Sequence, residues 1–210
     1  MARNRAAVCR ICRSEGTKLF LKGARCNSPK CAFERKGYAP GQGGDNRRRR
    51  RPSDYAQQLR EKQKMKQAYG LREKQFRRYV RRAERKEGVT SDLLVQALEG
   101  RLDNAVFRAG LASSRAQARQ LVSHRHITVN ERVVTVASYA VRPGDVIKVR
   151  EKSKEIDPLA QAVANAGAAA VPAWLQVDYT NLTATVVALP DAAEAGIEAN
   201  EQQVIEFYSR

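Results

Sequence analysis

Apolar residues change their spacing near residue 126, and this change limits the fold more than any other feature of the sequence. Over residues 94–122, leucines, valines and alanines recur mostly every three or four positions, as on one face of a helix. Over residues 127–149, apolar residues alternate with polar ones in short runs, as in half-buried strands. Residues 92–150 are therefore predicted to form helices followed by a small sheet, and the fold class is α+β.

The cysteines constrain the N-terminal segment. Cys9 and Cys12 are separated by two residues, and Cys26 and Cys31 by four. Two close thiol pairs joined by a loop suit a tetrahedral Zn²⁺ ion, since each pair supplies one edge of the tetrahedron. Two disulfides, four free thiols and an iron–sulfur cluster are the alternatives. We expect one structural Zn²⁺ that staples residues 1–45, a loop-dominated segment with too few apolar residues to fold alone.

Composition indicates two further parts of the chain. Residues 46–98 are rich in helix formers and in basic residues, and they predict a helical domain with a narrow buried stripe. We predict a second domain over residues 99–189, and its central module at 99–160 contains most of the helices and strands described above. Its first helix is expected to end at Gly110, and its second to begin with Ser114 as the N-cap.

The charge of the chain is large and uneven. The chain has 39 Lys and Arg against 22 Asp and Glu, a formal net charge of +17. The first 150 residues carry a net +23, whereas the last sixty carry −6. A compact body repels itself at such a charge, so the surplus indicates a polyanionic partner, and nucleic acid is the default. We expect the first 150 residues to bind it.

The sequence gives little support for a membrane protein, a secreted protein or an enzyme. No apolar stretch is long enough to span a bilayer, and the N-terminus lacks the apolar core of a secretion signal. The patterns of a phosphate-binding loop and of a metalloprotease helix are missing from the sequence, and both histidines lie within the basic residues 99–160. We therefore expect a cytoplasmic protein that has no catalytic activity, no small-molecule substrate and no contact with a membrane.

Several longer motifs resemble the S4 family of bacterial small-ribosomal-subunit proteins. In order along the chain they are Tyr38–Gln42, Tyr69–Tyr79, Arg101–Asn104, Ala112–Val122, His126–Asn130, Ser138–Tyr139, Val141–Asp145 and Ile205–Ser209. The sequence departs from the family at Arg125 and Glu131, where glycine is usual, and at Ala137, where proline is usual. The four cysteines resemble the zinc-bearing branch of the family.

The resemblance implies a specific function. A protein of this family is a primary binder of 16S rRNA at a junction of helices in the 5′ domain, and it nucleates assembly of the subunit. It contacts the neighbouring protein S5, which links it to translational accuracy, and it lies close to the path by which mRNA enters the subunit. The resemblance also implies that residues 99–160 are an S4-type RNA-binding module and that residues 190–210 pack back on the helical domain.

The candidate RNA-binding residues are mostly arginines, because the planar guanidinium binds phosphate with two hydrogen bonds and stacks on exposed bases. On the helix that begins at Ser114, Arg115 and Arg119 lie one turn apart beside the buried stripe, so we expect both to face RNA. The full set is Arg47, Arg48, Arg49, Arg50, Arg51, Arg72, Lys74, Arg77, Arg78, Arg101, Ser114, Arg115, Gln117, Arg119, Gln120, His124, Arg125 and His126.

Alternatives remain for these residues and for the whole chain. Any single arginine is as readily a solvated or ion-paired group as a phosphate ligand, and the run 47–51 can be read as a solubilising tail. An RNA-modifying enzyme with an S4-type module needs a catalytic domain, for which the acidic last sixty residues leave no room. A DNA-binding regulator is the other alternative, and preference for folded RNA over duplex DNA at matched salt would distinguish the two.

Overall fold

The computed structural model of the chain describes residues 7–41, 53–157, 159–160, 170–197 and 199–209. The chain separates into two compact units. The first unit combines residues 1–94 with the C-terminal residues 196–210, and the second contains residues 95–195. The described residues include both helices and a small antiparallel sheet, which confirms the α+β class.

The N-terminal segment of the first unit contains more helix than its composition indicates. Helix α1 spans Val8–Glu15, a 3₁₀ turn spans Gly23–Asn27, and the single-turn helix α2 spans Ala32–Arg35. Their small core contains Cys12, Leu19 and Ala68 and is flanked by the apolar side chains of Ile11, Leu21, Phe33 and Ile197. The segment is thus covered by residues from two later parts of the chain, which composition alone does not reveal.

Helices α3 (Asp54–Ala68) and α4 (Glu73–Ala83) follow on either side of Gly70, within the predicted helical domain. The hydroxyl of Ser53 caps α3 by accepting a hydrogen bond from the backbone N–H of Ala56 at 3.3 Å. At the other end of α3, Gly70 adopts φ = +62°, which lets the chain turn sharply into α4.

The C-terminal helix α8 (Glu201–Tyr208) packs against α3 within the first unit. Asn200 caps α8, as its side-chain oxygen accepts a hydrogen bond from the backbone N–H of Gln203 at 3.0 Å. The ring of Phe207 lies 5.6 Å from that of Tyr55, and the Gln58 amide donates to the Glu206 carboxylate at 3.0 Å. The C-terminus is therefore part of the helical unit, although about a hundred residues separate it in sequence.

The second unit begins within helix α5 (Thr90–Glu99) and continues with α6 (Leu102–Arg108) and α7 (Arg115–Ser123). The expectation of one helix up to Gly110 is wrong, since the backbone breaks at residues 100–101. There the Gly100 carbonyl accepts from the N–H of Val141 at 2.9 Å, and the N–H of Leu102 donates to the Tyr139 carbonyl at 2.8 Å. Pairing with this distant loop replaces the helical hydrogen bonds.

In the described part of the second unit, five antiparallel strands form a sheet in the order β2-β1-β3-β5-β4. They are β1 (Ile127–Val129), β2 (Arg132–Val133), β3 (Val146–Val149), β4 (Leu175–Asp178) and β5 (Thr183–Val186). Strands β1, β2 and β3 lie within residues 127–149, where strands are predicted, whereas β4 was not predicted. In β3, buried and exposed residues alternate, so the face with Ile147 and Val149 lies on the core.

Candidate RNA-binding surface

Helix α7 begins with the cap that the sequence predicts. The Ser114 hydroxyl accepts a hydrogen bond from the backbone N–H of Gln117 at 3.3 Å. The Gln117 side-chain oxygen in turn accepts from the N–H of Ser113 at 2.6 Å. This reciprocal arrangement is a capping box whose second bond reaches one residue further upstream than usual. Gln117 is thereby engaged in the cap, while Gln120 is exposed on the next turn.

The α7 arginines lie among acidic and aromatic side chains of the second unit. Arg115 Nε donates to the side-chain oxygen of Asn104 at 2.8 Å, and its guanidinium carbon lies 4.6 Å from the centre of the Phe107 ring. A terminal nitrogen of Arg119 lies 3.8 Å from Asp103 Oδ2. Both arginines are partly exposed, so their outer edges reach the surface of α7.

Arg101 does not lie on this surface, which corrects its assignment as an RNA ligand. Its side chain is 1% exposed and donates two hydrogen bonds to Asp103, at 3.0 and 2.7 Å. A buried guanidinium needs such a bidentate carboxylate partner to offset its desolvation. The Arg101 backbone also forms an isolated bridge with Ala140. Arg101 therefore stabilises the break between α5 and α6.

The C-terminal end of α7 presents a second basic group, formed by His124, Arg125 and His126. Arg125 adopts φ = +67°, and its N–H donates to the Val122 carbonyl at 3.1 Å while that of His126 donates to Leu121 at 3.1 Å. These bonds form a Schellman motif, in which glycine normally takes the place of Arg125. His124 and Arg125 are exposed.

His126 is half-buried and more constrained than its two neighbours. Its Nδ1 lies 2.9 Å from the Ser153 hydroxyl. Burial lowers the pKa of His126, and the positive charges of His124 and Arg150 lower it further. The ring is therefore biased toward its neutral form, which can hydrogen-bond RNA but adds little charge.

Among the described helices, α4 of the first unit carries the most exposed cationic face. Phe76 and Val80 are buried on one side of the helix. The predicted ligands on the other side are exposed, namely Arg72, Lys74, Arg77 and Arg78. Four more basic residues continue this face and were missing from the prediction: Arg81, Arg82, Arg85 and Lys86. The helical spacing of the arginines would have identified the first two.

The module also exposes cations outside the predicted set. They are Arg132, Arg142, Lys148 and Lys152. Arg132 and Lys148 lie on strands β2 and β3, Arg142 lies in the turn before β3, and Lys152 lies in the 3₁₀ turn after it. The run Arg47–Arg51 lies outside the described residues.

The four cysteines lie near one another in the N-terminal segment. Cys12, Cys26 and Cys31 are buried and Cys9 is half-buried, and no disulfide joins them. The pKa of Cys12 is raised, mainly by burial and further by electrostatic repulsion from the other three sulfur atoms, although a hydrogen bond with the Leu19 backbone lowers it. The N–H of Lys22 donates to Cys26 Sγ at 3.3 Å.

Four sulfur donors, two of which have backbone hydrogen-bond partners, are a donor set that suits zinc. Nevertheless, among the described residues no three His, Cys, Asp or Glu side chains stand in an arrangement that could hold a metal ion. The thiols share a neighbourhood in this structure without forming a ligating geometry.

No helix in the described part of the chain is long and apolar enough to cross a membrane.

Comparison with known proteins defines the class of this chain. Residues 3–99 match the family model for the ribosomal protein S4/S9 N-terminal domain, and residues 100–147 match the model for the S4 domain. Small ribosomal subunit protein uS4 of Natranaerobius thermophilus and that of Thermus thermophilus are each 52% identical to it over 210 residues, the full length of both chains. The uS4 protein of Magnetococcus marinus is 50% identical over the same length. The chain belongs to the S4 family of ribosomal proteins.

Proposed function

We propose that this chain is a structural constituent of the small subunit of the cytoplasmic ribosome, where it binds rRNA and catalyses no reaction. Its similarity to uS4 proteins over the full length of both chains is the observation that carries this proposal. The exposed arginines of α4 and α7 supply the physical basis, since the phosphates of folded RNA are bound by charge and by bidentate hydrogen bonds.

The geometry of α4 suits an RNA backbone in particular. Its buried side is fixed by Phe76 and Val80, so the helix cannot rotate its basic residues away from solvent. Arginines at successive turns then present a row of guanidiniums along one side of a rigid rod. Such a row can contact consecutive phosphates without ordering a flexible segment first, which lowers the entropic cost of binding.

Sedimentation and salt-dependent binding test this function. The full chain should sediment with small subunits and should bind rRNA with an affinity that falls steeply with salt. Replacing Arg77 and Arg78 with alanine should weaken binding and reduce the salt slope by about 2. The matched control replaces both with lysine, which keeps the charge and most of the slope but loses the planar fork. An unchanged slope in the alanine variant would remove these two residues from the interface.

The finer assignment follows from the family resemblance. We propose that the RNA partner is the helical junction in the 5′ domain of 16S rRNA, and that binding there nucleates assembly and supports translational accuracy. The proposed neighbours are protein S5 and the mRNA as it enters the subunit. Crosslinking the chain in cells, followed by sequencing of the attached RNA and identification of attached proteins, tests each contact. Equal binding of duplex DNA at matched salt would favour a DNA-binding regulator instead.

We also propose that Cys9, Cys12, Cys26 and Cys31 bind one structural Zn²⁺. The support is their paired spacing, their shared neighbourhood and the backbone hydrogen bonds at Cys12 and Cys26. Zn²⁺ would join α1, the 3₁₀ turn and the start of α2, which have only a small core of their own. Metal analysis of the purified protein should find about one zinc per chain. Iron with visible absorbance, or two disulfides without metal, would contradict this assignment.

A further inference from the structure

A fully buried carboxylate lies at the C-terminal end of helix α5. The side chain of Glu99 is 0% exposed, and it accepts a hydrogen bond from Arg108 Nε at 3.0 Å. A terminal nitrogen of Arg115 lies 3.8 Å from its other oxygen. Because burying a carboxylate is costly unless it is paired, these two arginines offset the cost of burying Glu99.

A second carboxylate repeats this arrangement at the start of α6. Asp103 is buried and is bound directly by Arg101, with Arg119 at 3.8 Å. Each carboxylate thus has one arginine in direct hydrogen-bonding contact and a second arginine, from α7, at longer range. The two α7 arginines, Arg115 and Arg119, have side chains that are 13% and 21% exposed.

The orientation of Arg115 is fixed from three sides. Glu99 attracts its charge, the Asn104 side-chain oxygen accepts its Nε–H, and the Phe107 ring lies under its plane. Asn104 is itself held, since its amide donates to the backbone carbonyl of Glu99 at 3.0 Å. Four guanidiniums share two carboxylates in this cluster, so positive charge remains where α7 meets solvent.

We propose that Glu99 and Asp103 are positioning residues, which hold the guanidiniums of Arg115 and Arg119 in the orientation that binds phosphate groups of RNA. This inference rests on the proposed rRNA-binding function. The carboxylates contact no phosphate; they reduce the number of rotamers open to the two arginines, so less side-chain entropy is lost on binding. The competing interpretation is that both carboxylates serve only the folding of the module.

The substitutions Glu99→Gln and Asp103→Asn test the positioning role, because it and simple electrostatics predict opposite changes in RNA affinity. Each change removes one negative charge near the RNA, so electrostatics alone predicts tighter binding. The positioning role predicts roughly tenfold weaker binding and a salt slope reduced by about 1. The measurement uses the full chain and a transcript of the 16S rRNA 5′ domain, at a temperature where circular dichroism shows each variant to be folded.

Glu131→Gln is the matched control for charge. Glu131 is exposed in the same unit, and its carboxylate forms no ion pair with another described residue. We expect its binding to equal that of the wild type or to be slightly tighter. Binding by folded Glu99→Gln and Asp103→Asn that is as tight as this control would overturn the positioning role while leaving rRNA binding intact. A wild-type chain with no preference for the transcript would instead contradict the proposed function itself.

Arg115→Lys keeps the test decisive if the carboxylate variants fail to fold. Lysine retains the charge next to Glu99 but has neither the Nε–H that bonds Asn104 nor a plane to stack on Phe107. The positioning role predicts the same loss of affinity, with the melting temperature close to that of the wild type. Wild-type affinity in this variant would overturn it.

Discussion

The phenol of Tyr208 donates a hydrogen bond of 2.6 Å to the carboxylate of Glu73, and this bond joins the C-terminal helix to the helix that carries the exposed arginines. The same carboxylate accepts from Lys62 at 3.0 Å and from Lys66 at 2.9 Å. Lys62 is buried, with its ammonium 4.6 Å from the centre of the Phe207 ring. Residues from α3, α4 and α8 therefore meet in one polar cluster.

Removal of the Tyr208 hydroxyl tests the contribution of this bond. Tyr208→Phe should lower the free energy of unfolding by about 1 kcal/mol, because a hydrogen bond to a charged but partly exposed acceptor is lost. Urea denaturation of the full chain measures the change. Tyr55→Phe is the control, since Tyr55 is exposed and contacts Phe207 through its ring; its effect should stay within about 0.5 kcal/mol. Equal effects of the two changes would contradict a role for the bond.

The stability of the cluster should depend on pH. Burial acts to raise the pKa of Glu73, but hydrogen bonds from Tyr208, Lys66 and Lys62 outweigh it and lower the pKa to about 2. Since the unfolded-state pKa is about 4.3, the ionised group stabilises the fold above that pH, and this contribution is lost as the pH falls from about 5 toward 2.

Comparison of the wild type with Glu73→Gln isolates this effect from other titrations. The difference in unfolding free energy should be largest near neutral pH and should shrink as the pH approaches 2. A difference that stays constant over this range would show that the pKa of Glu73 is the same in the folded and unfolded states.

The turn between β1 and β2 stores strain that a single substitution should remove. Asn130 and Glu131 adopt φ values of +48° and +66°, as the two-residue turn of a tight hairpin requires. Glycine is better suited than glutamate to the second position, so Glu131→Gly should raise the unfolding free energy by about 0.5–1 kcal/mol. Thermal unfolding checks this. Glu131→Ala keeps the strain and should bring no gain, and an equal rise in both variants would disprove the explanation.

Replacing Arg125 with glycine should increase stability but weaken rRNA binding. Its φ of +67° at the end of α7 also favours glycine, so Arg125→Gly should raise the unfolding free energy by about 1 kcal/mol. The same change removes an exposed guanidinium and should reduce the salt slope of rRNA binding by about 1. Arg125→Ala should lose the same affinity without becoming more stable. Unchanged binding in both variants would exclude Arg125 from the interface.

Local sequence patterns anticipated the features that depend on neighbours along the chain. Ser114 caps its helix as predicted, and β3 lies within residues 127–149, where the alternation predicts strands. The two departures from the family pattern at Arg125 and Glu131 both adopt positive φ, which accounts for the glycine that is usual there. Each of these features is set by a few adjacent residues.

Local patterns did not predict which arginines are exposed and which are buried. Arg72 and Arg101 both lie in basic segments of the sequence, yet Arg72 is exposed and Arg101 is buried against Asp103. The break before Arg101 depends on a loop some forty residues further on, whose backbone replaces the helical hydrogen bonds.

Spacing and charge along the chain thus determined that this protein has basic helices, a small sheet and a cysteine-rich beginning. Only the tertiary structure decided which guanidiniums face solvent and which neutralise buried carboxylates. The physical reason is that periodicity and capping act between near neighbours, whereas burial and ion pairing depend on residues that come together only when the chain folds.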